Sequence, residues 1–380
     1  MGVSFWDDPY PIYKSFQERA AIFWDDALEV WVVTGRDAAG TVLRSTAMSS
    51  DWLNIESASR EFPELEQMLR GWFLLKDPPE HTRLRRTMQS WFSRGRADSL
   101  AEEIQSVVST HLDRVRGLPT VDLARDFASP VASGILARVL DVPDEVTVKA
   151  AEHLASVAKF LAQPYRREFA EQAADAVDRL NSLYRSLAPS LSRSSALFPL
   201  LDDDSLPPDT YLHTAHLVSF AGQETTAGLI GTGLLHLLHR PELYKEVAEG
   251  QADLEAVIEE LLRFDTPVPQ VPRVALSDVA VDGCTIRAGD RVLVVLAAAN
   301  RDWANSEDAD VLDFAREQKN IAFGAGIHYC LGAPIARKGA LTAIRDWTTT
   351  FPETRLSPET VRWAVGTGNR GLESAVVQLA

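Results

Sequence analysis

The segment Ile321–Arg337 reads IAFGAGIHYCLGAPIAR, with Cys330 among glycines at 324, 326 and 332 and just ahead of a helical pattern. Unpaired N–H groups and the positive end of a helix dipole favour a thiolate at such a place. Gly324 and Gly326 are expected to let the backbone pass close to a flat ligand. A thiolate held this way suits the axial position of haem iron, where it pushes electron density toward O–O cleavage. The usual alternative for a free cysteine is a small buried hydrophobe in a tight turn. A nucleotide-binding reading of the same glycines fails, because Tyr329 occupies the third glycine position and no early strand leads into it.

A second constellation is Ala221-Gly222-Gln223-Glu224-Thr225-Thr226, inside a long helical pattern. Glycine costs about 1 kcal/mol relative to alanine in a helix interior, and threonine hydroxyls can bond back to the preceding turn and bend the helix. The flanks, Leu217, Val218, Phe220, Ala221, Leu229 and Ile230, are apolar nearly all round, as in a buried central helix rather than a surface one. O–O heterolysis needs protons, and an alcohol–water relay beside a carboxylate can deliver them. Glu260 and Arg263 stand at i,i+3 and can pair on one helical face. By itself such a pair says little, since surface pairs contribute under about 1 kcal/mol. His81 and Arg85 share a face just after the helix start marked by Pro78 and Pro79. Arg83, Arg86, Arg337 and Lys338 fit a solvated basic surface better.

The run Phe323-Gly324-x-Gly326-x-His328-x-Cys330-x-Gly332 resembles the haem-binding signature of the cytochrome P450 family. The likeness extends from Asp8-Pro9-Tyr10-Pro11 to Arg370-Gly371-Leu372, essentially the whole chain. It implies haem b, with Cys330 as the axial ligand to iron and with Ala221, Phe323, Gly324 and Gly332 around the cofactor. His81, Arg85, Arg273 and His328 would face its propionates. Glu224 and Thr225 align with the family's acid–alcohol pair. Glu260 and Arg263 align with its structural Glu-x-x-Arg, braced by Arg316. Phe73, Leu217, Phe220, Val268, Val271 and Gly366 would line the substrate pocket, with Trp72 either a wall of it or part of the core. Asn320 stands where bacterial members often carry histidine, and Arg287 replaces a common proline.

The resemblance further implies a monomeric monooxygenase that takes electrons from a ferredoxin and ferredoxin reductase and oxidises a small specialised metabolite. Arg83, Arg86, Arg337 and Lys338 could form a positive docking patch for that ferredoxin. Hydroxylation, epoxidation and oxidative coupling are the expected outcomes. A peroxide-driven enzyme and a haem-based sensor are the alternatives, and the presence of both Glu224 and Thr225 argues against each.

Positioning these residues requires mostly helices. Apolar periodicity predicts them at Pro63–Leu75, His81–Ser93, Ala101–Arg116, Val146–Leu161, Arg166–Leu191, Pro208–Leu238, Glu242–Gly250 and Leu254–Phe264. Strands are expected at Glu29–Thr34, Val279–Val281, Thr285–Arg287 and Arg291–Val295, with a turn at Asp282–Gly283. Thr46–Glu61 and Ser192–Pro208 read as loops. The expected fold is therefore mainly α with small peripheral β-sheets (α+β), one domain over residues 1–380. By the resemblance, haem would lie between the long central helix and the helix after the cysteine loop.

Composition narrows the partners. Asp and Glu outnumber Lys and Arg 54 to 38, and a net charge of −16 disfavours nucleic acid. Two cysteines are too few for a disulfide framework or an iron–sulfur cluster, so electrons must come from elsewhere. The N-terminal residues lack a signal-peptide pattern, and the longest apolar run, Val292–Ala299, is too short to span a bilayer, so a cytoplasmic protein without a membrane anchor is expected. Trp6 stands where a myristoylation signal would need Ser or Thr.

Overall fold

The computed structural model describes residues 4–52, 58–207, 209–306, 308–317, 319–366 and 368–379. Its axis is the central helix Thr210–Leu238, apolar on all sides and buried along most of its length. A helix without a polar face needs neighbours all round. It has them in Ser129–Leu140, Asp144–Ala162, Pro63–Gly71 and the cysteine-loop helix Ala333–Thr350. Small residues set the spacing: a Cβ at Gly233 would stand 3.0–3.1 Å from Ile344 and Leu261. The largest core cluster draws on residues from Leu65 to Val377.

The sheets are peripheral. Ile22–Asp25, Val30–Val33, Arg291–Val294, Val271–Ala275 and Met48–Ser49 form a five-stranded sheet in that spatial order. Its one parallel pairing joins Val30–Val33 to Arg291–Val294. Val279–Val281 and Cys284–Ile286 pair across Asp282 and Gly283, both at positive φ, as a two-residue primed turn requires.

The long amphipathic helices fall where the periodicity places them. The expected helix from residue 81 begins at Glu80 and ends at Gln89, with a 3-10 turn at Ser90–Phe92. The helix expected to reach Leu191 stops at Leu187 and continues as 3-10 turn. The strand expected at Thr285–Arg287 lies one residue earlier.

The helices Tyr10–Arg19, Arg36–Arg44, Arg94–Ser99, Ser129–Leu140 and Leu296–Arg301 are not among those expected; Arg36–Arg44 is amphipathic but only nine residues long. Ser129–Leu140 is buried continuously from Val131 to Ala137, so it shows no alternation of faces. The apolar run Val292–Ala299 is two elements, a strand ending at Val294 and a helix starting at Leu296. In the expected loops, Met48–Ser49 is a strand and Ala58–Glu61 and Phe198–Leu200 are 3-10 turns. Residues 53–57 of the first loop lie outside the described residues. So do Pro208, the expected start of the central helix, and Thr367. Among the described residues no helix is long and apolar enough to cross a membrane.

Candidate functional site

Cys330 lies three residues before the helix Ala333–Thr350 and is partly exposed. Its N–H donates to the Phe323 carbonyl at 2.9 Å, closing the loop. Burial pushes the thiol pKa up, while the N–H groups of Gly332 and Ala333 and the Arg85 and Arg337 guanidinium groups pull it down. The helix start thus opposes burial at this sulfur rather than overriding it. A ligated cation would complete the deprotonation.

The loop glycines also meet demands of the chain itself. Gly324 and Gly326 both have φ of +71°, a conformation side chains disfavour. No protein atom lies within 4 Å of the place a Gly324 side chain would take, so its φ is what the protein itself requires of a glycine there. A Cβ at Gly326 would stand 2.3 Å from the Leu43 carbonyl oxygen. Gly326 permits a close approach to the helix Arg36–Arg44.

Arg85 Nη2 donates to the Tyr329 carbonyl at 2.5 Å, tying the helix Glu80–Gln89 to the cysteine loop. The rings of His81 and His328 lie 4.2 Å apart. His81 is 2% exposed. Among the described residues, both its ring nitrogens and His328 Nε2 are buried with no hydrogen-bond partner. Burial, with His81, Arg273 and Arg85 adding to it, pushes the His328 pKa down to about 3. Burial and Arg85 lower that of His81. Arg273 is buried, donates to the carbonyl of its own neighbour Pro272 at 2.7 Å, and has its pKa pushed by burial to about 10. Buried donors of this kind call for an acceptor. A ligand carrying carboxylates at its edge fits them, which is what haem presents.

On the central helix, Ala221 is exposed although the stretch Thr214–Ser219 before it is buried. Thr225 Oγ1 donates to the Ala221 carbonyl at 2.7 Å, so its lone pairs point outward. Glu224 Oε2 accepts from Asn369 Nδ2 at 2.9 Å. Burial raises the pKa of Glu224 and that bond offsets part of the rise. Open surface in the middle of a buried helix is what a flat ligand between this helix and the cysteine loop would cover.

The Glu260–Arg263 pair is no surface pair. Its members are 4% and 1% exposed, and the fork is bidentate at 2.7 and 2.8 Å. Arg263 also donates to the carbonyls of Ala309 and Val311, and Arg316 Nε reaches Glu260 Oε1 at 3.4 Å. Arg337, expected to be solvated, instead holds the cysteine loop. It bonds the Glu259 carboxylate and Tyr329 Oη, and its guanidinium lies 4.4 Å from the centre of the Phe323 ring. Asn300 Oδ1 accepts from the N–H of Ile321 at 2.7 Å, and Asn320 bonds Glu259. Sequence reasoning missed Asn300, Asn369 and this role of Arg337, since each depends on a partner distant in the chain.

Of the expected pocket residues, Phe220, Val268, Val271 and Gly366 keep partial exposure. Phe73 and Leu217 are 7% and 3% exposed and offer a substrate little surface. Trp72 is fully buried, 5.1 Å from the Phe220 ring, and is core.

The sequence model of the cytochrome P450 family matches residues 136–343. The cytochrome P450 monooxygenase PikC of Streptomyces venezuelae is 30% identical over 100% of this chain and 92% of its own length. The mycinamicin IV hydroxylase/epoxidase of Micromonospora griseorubida is 35% identical over 92% of this chain and 89% of its own. A crystal structure of P450BioI with an acyl-ligated acyl carrier protein superposes with a TM-score of 0.93 at 28% identity, covering 99% and 100% of the two chains. The chain belongs to the cytochrome P450 family. It is a haem-thiolate monooxygenase of the bacterial type.

Proposed function

We propose that Cys330 Sγ is the axial ligand and that His81, Arg85, Arg273 and His328 hold the haem carboxylates. Ala221, Phe323, Gly324 and Gly332 would contact the ring. The observation that carries this reading is the group of buried, acceptor-poor donors beside the cysteine loop. Bound haem supplies the redox chemistry that splits dioxygen. The chain's own part is to move protons: Glu224 can hold one at its carboxyl, and the outward lone pairs of Thr225 can accept a water that passes it on. Burial keeps the Glu224 carboxyl poised nearer neutrality than an exposed one.

The substrate reading follows from the surfaces of Phe220, Val268, Val271 and Gly366, which suit a small, mainly apolar organic molecule. A specialised metabolite is the class proposed, and hydroxylation or epoxidation the reaction, as the name of the mycinamicin relative describes for that enzyme. Electrons would come from a separate ferredoxin and its reductase. Arg83 and Arg86 are exposed on the helix Glu80–Gln89 and give the acidic chain a local positive patch for such a partner.

The reduced, carbon monoxide-bound protein tests the ligand. It is expected to show the strongly red-shifted Soret band of a thiolate-ligated haem, and Cys330→Ala to lack it. Retention of the band in that variant would overturn the assignment. Thr225→Ala is expected to divert electrons from product to hydrogen peroxide, by about tenfold or more if the relay supplies a typical acid–base contribution. Unchanged partitioning would remove Thr225 from the relay.

A further inference from the structure

Glu224 and Gly228 are four residues apart and so share one face of the central helix. The C-terminal turn lies on that face. A Cβ at Gly228 would stand 2.8 Å from the Arg370 carbonyl oxygen, too close for any side chain. The bare backbone at 228 therefore lets the turn come down onto the helix. One helical turn away, the same segment delivers Asn369 Nδ2 to Glu224 Oε2 at 2.9 Å.

The turn is anchored from behind. The Arg370 N–H donates to the Pro267 carbonyl at 2.7 Å. Its guanidinium pairs with Asp265 at 3.1 Å, donates to the carbonyls of Trp6 and Asp7, and lies 3.3 Å from the centre of the Trp363 ring. Asp265, fully enclosed, also accepts from Tyr10 Oη at 2.9 Å and meets His236 Nε2 at 2.8 Å. Buried ion pairs add little net stability, and their best-attested use is to fix one conformation. Asn369, next to this pair, is the residue whose position bears on the acid.

We infer that Asn369 is a positioning residue for Glu224: an amide donor that fixes the carboxyl beside Thr225, brought there by the gap at Gly228 and the Arg370–Asp265 pair. The inference rests on reading Glu224 and Thr225 as the proton relay. An amide suits the task because it has no proton to lose. It stabilises the carboxylate, while Glu224 gives a proton to the relay and recovers one from water. A lysine or arginine there would hold the carboxyl ionised and stop it reprotonating. Burial raises Glu224 and Asn369 lowers it; no ionised side chain contributes.

Infrared titration of the resting holoenzyme isolates the Glu224 carboxyl as the band missing in Glu224→Gln. Asn369→Leu removes the donor at similar size and is expected to raise the midpoint, cutting the carboxylate fraction below it about tenfold, as loss of one hydrogen bond to a charge implies. Asn369→Asp is isosteric but sets two carboxyls face to face, so it should raise the midpoint as well. A purely structural role would instead be rescued by the aspartate. In parallel, hydrogen peroxide released per electron pair from reduced ferredoxin is followed against pH, with the carbon monoxide band as the control for an intact site. A raised midpoint with peroxide release rising over the same range supports the inference. A raised midpoint with unchanged release upholds Asn369 as the holder of Glu224 and overturns the relay. An unmoved midpoint in both variants overturns the inference and leaves the relay standing.

Discussion

Two groups of basic side chains flank the cysteine loop, and they are finished to different degrees. Arg263 and Arg316 meet Glu260, and their remaining N–H groups reach carbonyls of the segment Asp308–Val311. His81 and Arg273 are buried and Arg85 and His328 half-buried; Asp77, which acts on His81 and Arg273, is already engaged with Ser49 and Ser50, and Arg85 faces the Cys330 sulfur. The first cluster is complete as protein. On the proposed reading the second is completed by an anion from outside the chain, so buried arginines brace the fold in one place and would hold a ligand in the other.

The difference is sharpest if Glu260 is removed. Glu260→Ala leaves Arg263 and Arg316 buried against no anion, at a cost of about 3–5 kcal/mol, a large part of a domain's stability. Little folded, haem-loaded protein is expected, and a loss under about 1 kcal/mol in denaturant unfolding would erase the contrast. Arg273→Ala should behave in the opposite way. Haem dissociation is expected to rise about 10–100-fold, since a hydrogen bond to a charged group contributes about 1.5–3 kcal/mol. The haem-free protein should be no less stable, because an unmatched buried charge has gone. Equal destabilisation with and without haem would contradict this.

The smallest effect is on pH dependence. His81 titrates below its ordinary value in the haem-free fold, so the unfolded chain takes up the proton first. The stability tied to neutral His81 is therefore full above about pH 6.5 and is lost as pH falls through the lower, folded value. His81→Phe should flatten that slope in acid unfolding of the haem-free protein, and an unchanged slope would locate the acid sensitivity elsewhere.

The sequence carries the long amphipathic helices and the cysteine signature, because periodicity and a dense local motif need no knowledge of distant partners. Ser129–Leu140 escaped because burial on every side erases periodicity. The identity of the Glu260 partners was legible, but their burial was not, since an i,i+3 pair looks the same on a surface. Arg337 read as solvated because its anchors, Glu259 and the Phe323 ring, lie on other elements. Asn369 and Arg370 sit in a segment with no period at all. Their meaning appears only when Asp265, Gly228 and Glu224 are brought against them.

The contact between Gly326 and the Leu43 carbonyl has a consequence for how the protein is made. The cysteine loop leaves the ribosome well after the helix Arg36–Arg44, which forms part of its seat. Contacts of such sequence separation form late and slowly. The cysteine loop can take its final shape only after these two distant segments have met, which makes its closure a late event of maturation rather than an early nucleus.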